Sequence, residues 1–130
     1  MKFYHGSSAE ISQLQNHILS RYGFTAIFAT PSRELAIKYA FSAYEKTGTG
    51  YLYSFDIEKT IQKIDFEGRI SHSSVFRALI LNLHKENKES VIIENVIDYP
   101  NEKLAVYKLN SILVLFDFEL ISNFKMMGKY

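Results

Sequence analysis

The sequence predicts an α+β fold in which short strands outnumber helices and lie mostly after residue 50. Segments rich in β-branched and aromatic residues recur between turn residues, which is typical of strands. Other segments place apolar residues at helical spacing. The chain has 130 residues, 47% of them hydrophobic, and shows no repeat, low-complexity tract or linker. A chain of this length can bury one core, so we expect a single domain over residues 1–130.

The N-terminal segment is predicted to form a short strand followed by a helix. Residues 2–5 contain two adjacent aromatic side chains, which favour a strand. Residues 7–19 place isoleucine and leucine at helical spacing. Ser7 or Ser8 can cap the first turn of this helix with its hydroxyl, so we expect the helix to begin at one of the two serines.

A second strand and a second helix follow. Residues 23–30 continue from a glycine with β-branched and aromatic residues, which is typical of a strand. Thr30 and Pro31 then indicate a helix start, because the hydroxyl can cap free amides and proline suits the first turn. The predicted helix covers residues 32–46 and ends in a glycine-containing loop at 47–50. Three of its residues share one face: Leu35, Tyr39 and Ala43.

The second half of the chain contains one predicted helix among four predicted strands. Residues 51–57 alternate with the strand period, and residues 73–89 carry an apolar stripe at helical spacing. The other three strands are predicted over residues 90–97, 103–109 and 112–121, with a turn at 98–102. Residues 122–130 carry too little pattern for an assignment.

Composition excludes several classes of function. The 15 basic and 14 acidic residues nearly cancel, so net charge does not steer the chain toward nucleic acid or an acidic membrane. The lack of cysteine excludes disulfides and thiolate metal sites, and fits a reducing compartment. The longest apolar stretch, residues 111–121, contains two acids and is too short to span a bilayer. We expect a soluble, cytoplasmic protein with no membrane partner.

Common catalytic motifs are absent from the sequence. The four histidines lack metal-ligand spacing and no HExxH motif occurs, so we expect no metal. The "GTG" at residues 48–50 lacks the lysine and hydroxyl of a phosphate-binding loop, and there is no G-x-S-x-G elbow. Three histidines flanked by polar residues are expected on the surface: His17, His72 and His84.

Three separated segments form a more specific combination. They are "FYHGSS" at residues 3–8, "IFATPSRELAIKYA" at 27–40 and "NEKLAVYKLNSI" at 101–112. In this order they resemble the ADP-ribosyltransferase superfamily, in the branch with poly(ADP-ribose) polymerases and diphtheria-type toxins. In that family one strand ends in His-Gly-Ser or His-Gly-Thr, a second leads into a helix bearing a tyrosine, and a late strand opens with Asn-Glu. The resemblance covers residues 3 to 121.

The resemblance implies a fold and an activity. The fold is a split antiparallel β-sheet with flanking helices and an NAD⁺ cleft between the two sheet halves. The activity is mono-ADP-ribosylation, in which NAD⁺ is the co-substrate, nicotinamide is released and no metal is needed. The acceptor is a macromolecule, expected to be a protein rather than a nucleic acid. Analogy with other compact members suggests a bacterial toxin, an effector or a phage-encoded inhibitor.

The resemblance also assigns two catalytic residues, Glu102 and His5. The reaction breaks the bond between nicotinamide and ribose through an oxocarbenium-like transition state, which a carboxylate beside the ribose stabilises. Glu102 takes this role, and His5 binds the adenosine-side ribose. Glu94 is the alternative acid, because a carboxylate inside an apolar strand is often functional. Taken alone, Glu102 could be a solvated turn carboxylate and His5 a strand-end histidine bonded to a backbone carbonyl.

Four further residues are implied to bind NAD⁺. The Gly6 backbone would grip the nicotinamide carboxamide, since glycine has no side chain to block close approach. Ser7 would line the site while capping the following helix. Tyr39 would stack on the nicotinamide ring, and Phe28 would support the pocket floor. For Tyr39 a place in the core is the alternative, because it shares a helix face with apolar residues.

The sequence departs from the family pattern at two positions. Ile27 replaces the tyrosine that usually precedes Phe-Ala in the second strand, which would make one aromatic wall of the nicotinamide slot aliphatic. Ala36 replaces a serine that usually bonds the carboxamide. Three alternative functions therefore stay open: NAD⁺ glycohydrolysis, a catalytically silent module that binds a nucleotide or a protein, and protein–protein interaction without any ligand.

Overall fold

The computed structural model describes residues 1–11, 18–19, 22–59, 61–105 and 107–130. These residues contain nine strands and two α-helices, which confirms the predicted α+β class. The strands are β1 (Lys2–Ser7), β2 (Ile18–Leu19), β3 (Phe24–Thr25), β4 (Ile27–Ala29), β5 (Tyr51–Ile57), β6 (Gln62–Asp65), β7 (Ser90–Ile97), β8 (Leu109–Leu115) and β9 (Ile121–Lys129). The helices are α1 (Arg33–Thr47) and α2 (Ser74–Lys85), and two short 3₁₀ helices cover Glu102–Leu104 and Phe118–Leu120.

Two sheets meet at one backbone bridge. The first sheet is antiparallel with strand order β1-β5-β9, and the second has the order β4-β8-β7-β6, in which only the pairing of β6 with β7 is parallel. The strands β2 and β3 pair separately. Tyr4 of β1 and Thr30, just after β4, exchange reciprocal backbone hydrogen bonds of 2.8 and 2.9 Å. This bridge joins the two sheets, and their strands diverge from it.

The second sheet is buried on both faces, because alternate residues of a strand point to opposite sides. One face packs against the first sheet, and this core includes Phe3, Ile27, Phe55, Ile92, Leu113 and Leu115. The other face packs against α2, and this core includes Phe76, Ile80, Leu83, Val91, Ile93, Ile112 and Val114. The apolar stripe predicted for the second helix therefore faces the sheet, although Val75 is exposed.

Helix α1 begins and ends through local capping. The Ser32 hydroxyl accepts a hydrogen bond from the Leu35 N–H at 3.1 Å, so Ser32 rather than Thr30 is the N-cap. The Thr30 hydroxyl instead accepts from the Ser32 N–H at 3.1 Å. At the other end, Gly48 adopts a left-handed conformation with φ of 83° and donates its N–H to the Tyr44 carbonyl at 2.8 Å. The predicted helix end at the glycine-containing loop is confirmed. Neither α1 nor α2, the helices of the described residues, is long and apolar enough to cross a membrane.

Helix α1 lies directly on the first sheet because two positions there lack a side chain. A Cβ on Gly6 would stand 2.4 Å from the Ala36 carbonyl oxygen and 2.5 Å from the Ala40 nitrogen. A Cβ on Gly50 would stand 2.1 Å from the Ala40 carbonyl oxygen. Both distances are far below van der Waals contact, so the backbone of α1 can approach only glycine at these positions.

Two sequence predictions were wrong in the described residues. Ser7 ends β1 instead of opening a helix, and its hydroxyl accepts a hydrogen bond from the Ala9 N–H at 3.1 Å in a turn. Residues 18–19, expected at the end of that helix, form β2, while residues 12–17 lie outside the described residues.

The strand predicted over residues 103–109 is also not formed. The Asn101 side chain accepts a hydrogen bond from the Leu104 N–H at 3.2 Å and caps a 3₁₀ turn, so β8 starts only at Leu109. Val106 lies outside the described residues. The strand predicted over 112–121 is divided, because a 3₁₀ helix capped by Asp117 separates β8 from β9. The strands β6 and β9 had no predicted counterpart.

Candidate active site

A cavity of about 400 Å³ lies where the two sheets diverge. Its volume falls within the range of about 300–1,000 Å³ that is typical of small-molecule sites. One wall is built from the end of β1, from β4 and from α1. The opposite wall is built from the segment that precedes α2 and from the segment that follows β7. Five of the six predicted site residues line this cavity: His5, Gly6, Ser7, Phe28 and Tyr39.

His5 joins the two strands of the first wall. Its ring nitrogen Nδ1 lies 2.6 Å from the Phe28 carbonyl oxygen. A carbonyl oxygen can only accept a hydrogen bond, so Nδ1 carries the proton and donates it. This bond orients the ring and fixes its tautomer. His5 is therefore both a strand-end histidine bonded to a carbonyl and a residue that lines the cavity.

The predicted face of α1 points into the cavity. Leu35, Tyr39 and Ala43 all line it, because residues three and four apart share one side of a helix. The Tyr39 hydroxyl donates a hydrogen bond of 2.7 Å to Oδ1 of Asp98. This bond crosses the cavity between its two walls and fixes the position of the Tyr39 ring.

Asp98 is the carboxylate that lines the cavity. It follows directly after β7 and is only 7% exposed. The Ser71 hydroxyl donates to the same Oδ1 at 2.5 Å. Both of these hydrogen bonds end on one oxygen, so Oδ2 has none from the described residues and remains able to accept one from a ligand. The sequence prediction placed Asp98 in a turn and missed it, although an acid directly after a buried strand was a usable signal.

The segment before α2 brings two more polar residues to the cavity. Ile70 bridges β7 at Ile97, and the Ser71 N–H donates to the Ile97 carbonyl at 3.0 Å. The next residue, His72, donates from Nε2 to the Tyr99 carbonyl. His72 is exposed, as expected, yet it lines the cavity, which the sequence prediction did not anticipate. His84 is exposed and stacks on the Phe24 ring, while His17 lies outside the described residues.

Glu102 does not line the cavity. It is exposed at the start of a 3₁₀ helix and accepts hydrogen bonds from the Tyr99 hydroxyl at 2.7 Å and the Tyr107 hydroxyl at 3.4 Å. The hydrogen bond to Glu102 is the main cause that raises the pKa of Tyr99 to about 12. Glu94 does not line the cavity either; it lies partly buried on β7, where its carbonyl accepts from the Phe66 N–H.

The two departures from the family pattern lie outside the open part of the cavity. Ile27 is completely buried in the core between the sheets, so it forms no wall of the cavity. The neighbouring Phe28 faces the other way and meets the Tyr22 and Phe76 rings edge-on at 6.0 and 6.2 Å. Ala36 is only 1% exposed, because Gly6 lies against it. The expected loss of an aromatic wall at Ile27 is therefore wrong, since Tyr22, Phe28 and Phe76 supply aromatic lining.

Charged lining groups are few. Among the lining residues of the described chain there is one carboxylate, Asp98, and one ammonium group, Lys46. No group of three or more potential metal ligands occurs within the described ranges. The arrangement therefore suits an organic ligand with one cationic region and several hydrogen-bonding groups. The site has to be interpreted from this chemistry, because comparison with family models, with curated proteins and with solved structures finds no match for the chain.

Proposed function

We propose that this chain binds NAD⁺ in the cavity and transfers its ADP-ribose to a macromolecular acceptor, with release of nicotinamide. The observation that carries the proposal is the meeting of three distant segments at one cavity. His5, Gly6 and Ser7 come from β1, Phe28 from β4 and Tyr39 from α1. These are residues that the resemblance assigns to NAD⁺ binding, and a buried carboxylate, Asp98, lies beside them.

The sheet arrangement also supports the proposal. Two mainly antiparallel sheets are joined at the Tyr4–Thr30 bridge and diverge around the cavity. A split sheet with a cleft between its halves is what the resemblance to ADP-ribosyltransferases implies. The proposed fold is therefore of the ADP-ribosyltransferase type, with the NAD⁺ cleft at the divergence of the two sheets.

In the proposed mechanism Asp98 takes the role that the sequence assigned to Glu102. Breaking the bond between C1′ of the ribose and N1 of nicotinamide builds positive charge on the ribose. Asp98 lines the cavity and can offer Oδ2 to the ribose, whereas Glu102 lies outside the lining. A carboxylate held in a buried site stabilises such charge more strongly than one in water. Its two donors hold Asp98 in place, so little reorganisation is needed.

The remaining lining residues bind and orient the dinucleotide. The Tyr39 ring, held by its hydroxyl bond to Asp98, offers a flat face for the nicotinamide ring. Phe28 and Phe76 supply apolar surface beside it. His5, oriented by the Phe28 carbonyl, binds the adenosine-side ribose. The proposed acceptor is a protein, and the proposed setting is a toxin, an effector or a phage-encoded inhibitor.

The test is a labelling assay with two carboxylate variants. Wild-type protein, Asp98→Asn and Glu102→Gln are incubated with NAD⁺ labelled in its adenylate group and with a cell lysate, and nicotinamide release is measured in parallel. Asp98→Asn should lower turnover about 10²–10³-fold, because transition-state electrostatics of this kind have that magnitude. Glu102→Gln should change turnover less than about 3-fold, because rim charges contribute little.

Three results would change the proposal. Wild-type protein that releases no nicotinamide and shows no NAD⁺ binding in calorimetry would refute it. Full activity of Asp98→Asn together with loss in Glu102→Gln would show that Glu102 is the catalytic acid after all. Nicotinamide release without any labelled macromolecule would make the chain an NAD⁺ glycohydrolase.

A further inference from the structure

His72 has a basic nitrogen on a ring that is held in place. Its Nε2 donates to the Tyr99 carbonyl, and a carbonyl can only accept, so Nε2 carries the proton. In the neutral ring Nδ1 is then the nitrogen that can accept a proton. His72 also lines the cavity. It therefore has the chemistry of a general base at the site.

The contacts of the preceding residue place His72 next to the carboxylate. Ser71 bonds Asp98, at 2.5 Å, and His72 bonds the backbone of Tyr99, the residue after Asp98. Two consecutive residues of one segment are thus fixed to two consecutive residues of the other. This double attachment keeps the His72 ring close to the proposed reaction centre.

We infer that His72 is the catalytic base that removes the proton of the acceptor. The inference rests on the proposed function. In the reaction, the C1′–N1 bond breaks and nicotinamide leaves with the bonding electrons. An oxygen or nitrogen of the acceptor, or of water, forms the new bond to C1′, and its proton passes to Nδ1 of His72. Asp98 serves the positive charge on the ribose, so a separate group receives the proton.

The other histidines do not fit this role. His5 is bonded through Nδ1 to the Phe28 carbonyl on the opposite wall and is assigned to the adenosine-side ribose. His84 does not line the cavity, and its ring stacks on Phe24 with centroids 3.8 Å apart. Because His84 is also exposed and also close to a helix end, it offers a matched control.

The experiment replaces the ring and then supplies it from solution. His72→Ala is assayed for nicotinamide release and for labelling of lysate protein, with and without added imidazole. Turnover should fall about 10²-fold, the lower end of what general base catalysis contributes. NAD⁺ affinity in calorimetry should stay within about 2-fold, and the unfolding midpoint should stay close to that of wild type. Imidazole should restore part of the lost turnover, and more basic substituted imidazoles should restore more.

A second variant guards against a structural effect of the alanine. His72→Gln keeps an N–H donor for the Tyr99 carbonyl but has no basic nitrogen, so it should lose as much turnover as His72→Ala. His84→Ala should keep wild-type turnover and should not respond to imidazole.

Turnover near wild type in His72→Gln would overturn the inference. So would a loss in His72→Ala that no imidazole restores, because a merely structural role predicts that result. Both of these leave the proposed function standing if wild type still releases nicotinamide. Wild-type protein that neither binds NAD⁺ nor releases nicotinamide would instead refute the proposed function, and the inference with it.

Discussion

The two walls of the cavity are built in different ways. The first wall consists of β1, β4 and α1, which are regular elements held together by backbone pairing and close packing. The second wall consists of two irregular segments, around Ser71 and Asp98, which are held together by side-chain hydrogen bonds. The first wall supplies most of the predicted ligand contacts, and the second supplies the groups proposed for the chemistry. Regular structure positions the ligand, and irregular structure places the reactive groups around it.

The largest effect on stability is expected at the close contact within the first wall. Gly6→Ala would put a Cβ 2.4 Å from the Ala36 carbonyl oxygen and 2.5 Å from the Ala40 nitrogen, both of them backbone atoms of α1. Since backbone cannot move aside cheaply, the free energy of unfolding should fall by about 3 kcal/mol, measured by urea denaturation.

Gly128→Ala is the matched control on the same sheet. Its Cβ would meet its nearest neighbour, the Tyr130 ring, at 3.8 Å, which is ordinary contact. The free energy of unfolding should therefore change by less than about 0.5 kcal/mol. Equal losses in both variants would mean that α1 does not lie against β1 as described. A large loss only in Gly6→Ala would also show that packing alone requires glycine there, whatever its role toward nicotinamide.

The contrast between the walls explains what could be predicted from the sequence. The strand β1, the body of α1 and its Leu35–Tyr39–Ala43 face were predicted, because apolar residues at fixed spacing report regular elements. The second wall leaves no such period. Asn101 turns the chain into a 3₁₀ helix by capping the Leu104 N–H, so Glu102 does not stand at the start of a strand.

Asp98 and His72 could not be assigned from spacing for a related reason. They lie 26 positions apart in the sequence and come together only through the bonds Ser71 makes to Ile97 and Asp98. A long-range contact of this kind has no local signal. Only the place of Asp98, directly after the buried strand β7, pointed to a functional acid.

A smaller effect should appear at the hydrogen bond that joins the two walls. A double-mutant cycle of Tyr39→Phe and Asp98→Ala should give a coupling energy of about 1.5 kcal/mol, because this hydroxyl donates to a buried carboxylate at 2.7 Å. Denaturant unfolding of the four proteins provides the measurement.

The exposed pair of Tyr107 and Glu102 is the control for that cycle. The hydroxyl and the carboxylate lie 3.4 Å apart, and Tyr107 is 67% exposed. Its cycle should give less than about 0.5 kcal/mol, since water replaces the lost partner. A coupling at Tyr39–Asp98 as small as that of the exposed pair would mean that no firm bond joins the walls.

Two buried serines behind the first wall should respond in opposite directions. Ser54 on β5 is fully buried, and its hydroxyl has no hydrogen-bond partner within the described ranges. Ser54→Ala should therefore raise the free energy of unfolding, by about 0.5 kcal/mol, because an unsatisfied polar group is removed. Ser42 on α1 accepts a hydrogen bond of 2.9 Å from the Asn101 side chain, so Ser42→Ala should lower it by about 1 kcal/mol. Thermal unfolding of both variants decides; a loss in Ser54→Ala would show that its hydroxyl is paired after all.

The smallest effect concerns Tyr99 in the second wall, and it is absent at neutral pH. The hydrogen bond to Glu102 raises the pKa of Tyr99 to about 12, above the ordinary value of 10.0. The folded state therefore holds this proton more tightly than the unfolded state. The resulting stability is fully present below pH 10 and is lost as the pH rises toward 12.

Glu102→Gln should remove most of this dependence, because the carboxylate is the first cause of the raised pKa. The unfolding midpoint of wild type should decline between pH 10 and 12 more steeply than that of Glu102→Gln or Tyr99→Phe. Absorbance of tyrosinate should likewise show one group fewer titrating late in each variant. Identical alkaline profiles in all three proteins would show that Glu102 does not hold the Tyr99 hydroxyl. Glu102 would then lack the role in the second wall that distinguishes it from Asp98.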